Sequence, residues 1–459
     1  MSIFKAYDIR GLVPEELDAA AGYRIGRGAA RFLGGSRRAD EGATRAHRDT
    51  KLAVGRDARS HTPELADALI RGIRDEGVTV VDLGLVATPM LYHAVDHLGL
   101  AGGVMVTASH NPRQYNGFKL CREHAIPIGG DSGLDEIERL SRDRATAPRA
   151  TDLGALEHAD VRSSYVDQAL SVGGACDAMR VAIDCGNGMA AVGLEPLLER
   201  LPLEVERLYF EPDGTFPNHE ANPLVDENLR DLIAAVRRTG ARLGVAFDGD
   251  ADRAMFVDEN GERVRADLVT ALLAQVQLRA RPGGTVLYDL RSSRATAEAI
   301  REAGGKPGLC RVGHSFIKAD MRQRDAIFAG ELSGHFYFRF SPSLVADDGI
   351  AALVAMLDCL ARSGKPLSEL VAPLQRYSAS GEINREVEDP RALIEAIARE
   401  HEGASEISRL DGLLVRYPDW WFNLRPSNTE PVLRLNLEAA DAGSMARHRD
   451  ALLARIEAG

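Results

Sequence analysis

At 459 residues the chain is too long for one hydrophobic core, and about three or four domains are expected. Its composition, 45% hydrophobic and 27% charged, is that of a soluble globular protein, and a net charge of −12 argues against nucleic acid or an anionic membrane as the main partner. Five cysteines (Cys121, Cys176, Cys185, Cys310, Cys359), odd in number and never spaced C-x-x-C, speak against a disulfide framework or a zinc knuckle. No run reaches the ~20 apolar residues of a membrane span, so the cytoplasm is the expected compartment.

In chain order, Tyr7-Asp8-Ile9-Arg10-Gly11 precedes a helical pattern from Pro14 to Leu33, and the polar stretch Ser36 to Thr50 reads as a surface loop. Leu52–Val54 is a strand, followed by Gly55-Arg56-Asp57 and a helix over about Pro63–Glu76. A strand at Val78–Val81, a helix opening at Thr88-Pro89 and the apolar run Val104–Val106 come next. Strands alternating with helices predict largely parallel sheets. The opening recurs at Arg180–Met189 and Thr285–Thr296: a strand, an aspartate (Asp184, Asp289), a polar turn and a helix. This weak internal repeat predicts three related α/β domains. Beyond Val371 the pattern becomes a helix (Pro390–His401), strands at Leu413–Arg416, Trp420–Leu424 and Val432–Leu437, and a last helix (Ala442–Ile456). That order predicts a smaller α+β domain. The expected division is 1–155, 156–257, 258–371 and 372–459.

Four loops carry chemistry. The strand at 104–106 opens into Thr107-Ala108-Ser109-His110-Asn111-Pro112, where Pro112 stops continuation. A hydroxyl is thereby presented at a strand end, with the His110 imidazole beside it and Lys119 ten residues on. Small neighbours leave room for a bulky group on Ser109. After the strand Leu243–Phe247, Asp248, Asp250 and Asp252 alternate in what reads as an extended segment, a hard oxygen cage for a divalent cation. A calcium loop fits the D-x-D-x-D spacing, but Arg253 stands where that loop needs glycine; open coordination positions suit magnesium better. After the strand Ala326–Ala329, Glu331 and Ser333 alternate, an acceptor and a donor for a sugar diol, with His335 one step on for proton transfer. Finally, Arg425, Ser427, Asn428 and Thr429 make a phosphate cradle between two strands.

These four loops, in this order and spread over the whole chain, resemble the α-D-phosphohexomutase superfamily, and among its branches bacterial phosphomannomutase/phosphoglucomutase. The resemblance implies a phosphoserine in TASHNP, magnesium on DGDADR, sugar reading by GE-x-SGH and substrate phosphate on R-x-SNT. It implies three related α/β domains with mixed, largely parallel sheets plus a smaller α+β C-terminal domain around a central cleft. It adds Tyr7 to the sugar-binding set, Arg10, Arg253, Lys119 and His335 around the phosphoryl group, and His314 and Arg291 on the phosphate side. Arg291 stands where relatives often have lysine, and a planar fork is not a point ammonium. Leu332 and Asn428 favour glucose and mannose phosphates over glucosamine phosphate. The implied reaction takes hexose 1-phosphate to hexose 6-phosphate through a hexose 1,6-bisphosphate, which also serves as activator. The expected partners are small hexose phosphates, with no nucleic acid, no membrane, and a monomer as the working unit. The alternatives are a metal-dependent phosphatase and a calcium-regulated sugar-binding module.

Overall fold

Short apolar runs that end near an aspartate fold as the middle strands of three sheets. Lys51–Arg56 lies between Gly102–Val106 and Thr79–Leu85, and Met179–Asp184 between Leu243–Phe247 and Leu203–Leu208. Thr285–Asp289 lies in the same way between Ala326–Gly330 and Lys306–Cys310, and all of these pairings are parallel. In each sheet one flanking strand then pairs antiparallel with the next: Gly102–Val106 with Tyr115–Arg122, Leu243–Phe247 with Ala254–Val257, and Ala326–Gly330 with Phe336–Arg339. Asp57, Asp184 and Asp289 each accept the backbone N–H two residues on, from Arg59, Gly186 and Arg291, at 3.0, 2.8 and 2.7 Å. That Asx turn ends the strand. These features belong to a computed structural model that describes residues 3–35, 50–142, 152–426 and 432–458.

The fourth sheet is wholly antiparallel, in the order Ser378–Glu386, Val432–Ala439, Trp420–Pro426, Leu413–Arg416, Glu406–Ser408. Its helices Pro390–Glu400 and Ala442–Glu457 are capped by Asp389 and Asp441, whose carboxylates accept early backbone N–H groups. Leu393, Ile397, Phe422, Leu435 and Ile456 belong to a core of its own. One larger apolar cluster instead runs through the first three sheets, from Met90 and Leu91 through Leu194 and Val245 to Phe328 and Ile350. The last unit meets the third through a small cluster of Leu290, Leu414 and Trp421.

Several element boundaries differ from expectation. The first helix starts at Ala19, not Pro14, because the Asp18 carboxylate accepts Ala21 N at 2.7 Å and fixes the start there. The strands Tyr115–Arg122 and Ser378–Glu386 were not expected. Of the stretch read as a surface loop, residues 36–49 lie outside the described residues. All five cysteines are unbridged.

Candidate active site

The serine loop follows the fully buried strand Gly102–Val106. Ser109 takes a left-handed backbone (φ 51) and is 2% exposed. Thr107 Oγ1 accepts its N–H at 2.9 Å, and its own Oγ donates to Asp248 Oδ2 at 2.8 Å. His110 Nδ1 lies 3.2 Å from that Oγ. Burial, with Arg253 and Arg10 close by, holds His110 well below the usual histidine range, so its imidazole is neutral. Arg10 reaches across to Asn111 Oδ1 at 2.7 Å while pairing with Asp8. The approach of the next loop is so close that a Cβ on Gly249 would sit 2.4 Å from the Ser109 carbonyl oxygen. Only glycine fits there.

Asp248, Asp250 and Asp252 converge, but not as the alternating extended segment expected. Residues 249–252 form a turn with Ala251 left-handed (φ 64), and the turn rather than strand alternation brings the three carboxylates within 4.8 Å of one another. Strands flank the turn on both sides, where a helix–loop–helix calcium site would have helices. Lys119 Nζ bridges Asp250 Oδ2 and Asp252 Oδ2 at 2.6 Å each. Burial opposes its charge, yet Asp250, Asp252 and Asp248 prevail and raise its pKa. Thr88 Oγ1 donates to Asp250 Oδ2 at 2.6 Å, whereas the other oxygen of Asp250 is buried with no partner among the described residues. Burial and its two carboxylate neighbours push Asp248 well up, while Lys119 and His335 overcome burial to hold Asp252 well down. An all-oxygen donor set and a buried carboxylate oxygen with no partner among the described residues fit a hard divalent cation such as magnesium.

The loop at 331–335, expected to read a sugar, is also a turn, closed by Glu331 N to His335 O and Gly334 N to Glu331 O. The expected alternation of Glu331 and Ser333 is therefore replaced by a shared attachment to His335. Ser333 Oγ lies 2.9 Å from His335 Nδ1, and Glu331 Oε2 lies 3.3 Å from the same atom. Tyr337 donates to Glu331 Oε2 at 2.8 Å. Burial would raise the Glu331 pKa; His335, Arg291 and Tyr337 hold it well down, so the carboxylate is ionised. His335 Nε2 stands 3.3 Å from Asp252 Oδ1 and 3.2 Å from Arg253 Nε. Burial and Arg253 oppose protonation of His335, but Asp252 and Glu331 push it up to about 9.

Arg291 spends its guanidinium on Asp289 (2.8 Å) and lies 3.4 Å from Glu331. Arg425, near the end of the strand Trp420–Pro426, faces Glu382 at 3.8 Å, and the same carboxylate lies 3.7 Å from Arg291 and 3.6 Å from Arg434. Ser427, Asn428 and Thr429 lie outside the described residues. The Tyr7 ring packs on His314 (5.8 Å between centroids) and edge-on to Phe316. His314 is partly buried, its Nδ1 enclosed with no partner among the described residues, and desolvation with Lys318 and Lys119 keeps it neutral. The structure thus joins Arg10, Ser109, His110, Lys119, Arg253, the three aspartates, Glu331, Ser333, His335 and Arg291 in one polar network. Tyr7 lies within electrostatic reach of Glu331 and Arg425, and His314 within reach of Lys119 and His335.

Sequence reasoning missed Arg59, Thr88, Asp289, Tyr337 and Glu382. A signal existed for the first: Asp57-Ala58-Arg59 and Asp289-Leu290-Arg291 occupy the same place in two repeats.

Four family models match in sequence along the chain. Phosphoglucomutase/phosphomannomutase alpha/beta/alpha domains I, II and III cover residues 1–147, 163–261 and 265–377, and the C-terminal domain of the same family covers 382–455. The chain belongs to this family. It is 41% identical over 441 residues to a protein of Xanthomonas campestris pv. campestris described as phosphohexose mutases, covering 95% of this chain and 94% of that one. An Escherichia coli phosphomannomutase is 39% identical, with 100% and 99% of the two chains covered. The crystal structure of a phosphoglucomutase/phosphomannomutase family protein from Burkholderia thailandensis superposes with a TM-score of 0.88 at 35% identity, covering 99% and 97%. Membership makes the chain a phosphohexose mutase, an isomerase working by phosphoryl transfer, rather than a phosphatase or a binding module. Among the described residues no helix is long and apolar enough to cross a membrane.

Proposed function

We propose that this cleft interconverts glucose and mannose 1-phosphates with their 6-phosphates, with Ser109 as the residue that carries the phosphoryl group. The reading rests on one observation: a buried serine hydroxyl 2.8 Å from a carboxylate of a three-aspartate cluster that a lysine bridges. In the first half reaction the free sugar hydroxyl attacks the phosphoserine phosphorus; the P–Oγ bond breaks and Ser109 Oγ keeps the electron pair. The bisphosphate then turns over, and Ser109 attacks the other phosphorus to leave the isomeric monophosphate.

A magnesium ion held by Asp248, Asp250, Asp252 and the oxygen on Ser109 would supply charge neutralisation for the transferring group. Arg10, Arg253 and Lys119 add positive charge at the same place. Lys119, which carries its proton, is the donor to Ser109 Oγ when that oxygen leaves; His335, also protonated, is the donor when a sugar oxygen leaves. Neutral His110 is the acceptor for the proton of the attacking sugar hydroxyl, and Lys119, left as the free amine, takes back the Ser109 proton when that hydroxyl attacks; the two histidines then return to their starting states by exchange with solvent. Glu331 and Ser333 hold the 3- and 4-hydroxyls, Tyr7 packs by the sugar, and C2 is left unread, so both epimers serve. Arg425 with Ser427, Asn428 and Thr429, assisted by His314 and Arg291, holds the phosphate that is not reacting. The working unit we take to be a monomer, and its compartment the cytoplasm, in keeping with five scattered cysteines that lack disulfide spacing.

The test is a coupled assay with glucose 1-phosphate, mannose 1-phosphate and glucosamine 1-phosphate, preceded by intact-mass measurement. The first two should be used within about tenfold of each other, because an uncontacted epimeric centre costs at most about 1.4 kcal/mol. Glucosamine 1-phosphate should be far poorer. Ser109→Ala should lose the added phosphate mass and most turnover. Normal turnover by wild type that never shows that mass, even with glucose 1,6-bisphosphate present, would sink the reading.

A further inference from the structure

Behind the serine loop lies a group with no place in the chemistry just described. Arg59 is 1% exposed, and all five of its side-chain N–H donors can be accounted for. Nη2 donates to the carbonyl oxygens of Ser109 (2.8 Å) and Asn111 (2.7 Å), and Nη1 to those of Pro112 (2.9 Å) and Tyr115 (3.1 Å). Nε donates to Asp57 Oδ2 at 3.2 Å. Asp57 is fixed in turn by Thr62 Oγ1 at 2.7 Å, and Thr62 by Asn116 Nδ2 at 2.7 Å, so the clamp is braced from both of its ends.

Four carbonyls of one short loop drawn to a single guanidinium have a consequence for the opposite side of that loop. In a trans peptide the C=O of one residue and the N–H of the next point in opposite directions. Holding the Ser109 carbonyl against Arg59 therefore aims the His110 N–H away from Arg59. Among the described residues that N–H donates to nothing. The left-handed backbone of Ser109, uncommon for a residue with a side chain, is what such a carbonyl cup has to hold in place. Its counterpart in the third repeat, Arg291, sits in the same turn, on Asp289, and reaches the sugar-reading Glu331.

We propose that Arg59 is a positioning residue for phosphoryl transfer: it locks the serine loop so that the backbone N–H of His110 is presented as a donor to the phosphoryl oxygens on Ser109. The proposal rests on Ser109 being the phosphoryl carrier. It requires a planar five-donor fork; a lysine at this place keeps the charge opposite Asp57 but cannot collect four carbonyls.

The experiment compares wild type, Arg59→Lys and Arg59→Met, each freed of phosphate and mixed with glucose 1,6-bisphosphate and magnesium. Phosphoserine formation is followed by quenching and intact mass, normalised to the natively folded fraction from near-ultraviolet circular dichroism. Binding of glucose 1-phosphate is measured separately by calorimetry in a Ser109→Ala background. The transfer rate should fall by about a hundredfold in Arg59→Met and at least about tenfold in Arg59→Lys, with ligand affinity kept within about twofold. The 31P resonance of the phosphoserine should shift in Arg59→Lys as its amide donor is lost. A residue needed only for stability would lower the folded fraction and leave the normalised rate unchanged, and that result overturns the proposal. If Arg59→Met does not fold, Arg59→Lys decides. A wild type that takes up no phosphoryl group would overturn the Ser109 reading and this inference together; a competent wild type beside equally fast variants overturns this inference alone.

Discussion

The phosphate wall of the cleft contains an anion of its own, and removing its charge should tighten substrate binding. Glu382 lies 3.7, 3.8 and 3.6 Å from guanidinium nitrogens of Arg291, Arg425 and Arg434. These separations are too long for good hydrogen bonds, so the carboxylate acts mainly through its charge. At such a distance a unit pair is worth about 1 kcal/mol in water's dielectric and about four times that at the surface-protein value. Glu382 is 27% exposed, so the lower end applies. A substrate phosphate entering the same wall must bind guanidinium charge that Glu382 already screens. Glu382→Gln keeps the shape and removes the screening, a gain of roughly 1–2 kcal/mol, or about five- to thirtyfold in Kd. The assay is calorimetric titration of glucose 1-phosphate and glucose 6-phosphate in a Ser109→Ala background at two ionic strengths, where the gain should shrink with salt. Arg425→Ala is the opposing control and should weaken both ligands by about ten- to a hundredfold. Unchanged or weaker binding by Glu382→Gln would refute the reasoning and show that the carboxylate serves the sugar or the fold instead.

Chelation should abolish turnover, because the three clustered aspartates beside Ser109 are the donors for the cation that would neutralise the transferring group; magnesium should restore it and calcium, with its longer and looser coordination, little. Full activity in calcium alone would contradict the magnesium assignment. Asp348 gives a stability prediction. Its carboxyl caps the helix Gly349–Ser363 and accepts Tyr165 Oη at 3.0 Å, yet burial outweighs those bonds and pushes it up to about 7. A carboxyl raised in the folded state stabilises most below its unfolded pKa of about 3.9 and loses that contribution as pH rises through about 7. The stability difference between wild type and Asp348→Asn, from urea unfolding, should therefore fall between pH 5 and pH 7 by at most about 1.4 kcal/mol per unit and level off above. A difference independent of pH would contradict the raised value.

The repeat was legible because each opening strand is buried on both faces, which writes a continuous apolar run ending in a turn-forming aspartate. Loop identity was legible for a related reason: Ser109, Asp248, Glu331 and Arg425 all stand just beyond or near the end of such a run. Loop conformation was not. Alternating aspartates suggest an extended segment, but Ala251 turns left-handed and the side chains converge by a different route. The strand Ser378–Glu386 left no apolar signal because it is an edge strand with most side chains outward, formed by pairing with Val432–Ala439 rather than by burial. Arg59 and Glu382 look like ordinary surface charges in one dimension. Only the third dimension turns four loop carbonyls towards one and three arginines towards the other.

The three chemical loops are one topological position used three times. Each follows the strand that runs parallel to the middle strand on one side and then pairs antiparallel with its successor, so Ser109, the aspartates and Glu331 are delivered to a common centre by equivalent turns. A continuous apolar core fixes these sheets against one another. The wall bearing Arg425 is attached differently. Its core is separate, its apolar contact with the third sheet is the small cluster of Leu290, Leu414 and Trp421, and Arg294 ties it by donating to the carbonyls of Tyr417, Pro418 and Trp420. Across the cleft the Arg291–Glu382–Arg425 contact is electrostatic, with Glu382 the most exposed of the three side chains. A mutase whose intermediate turns over needs a centre that keeps sub-ångström geometry and a phosphate wall that grips and releases twice per cycle. Apolar burial suits the first demand because close packing tolerates little displacement. Exchangeable guanidinium contacts suit the second because phosphate and carboxylate compete for the same nitrogens at similar energy. The division of the chain into a shared core and a separately packed last unit follows that division of labour.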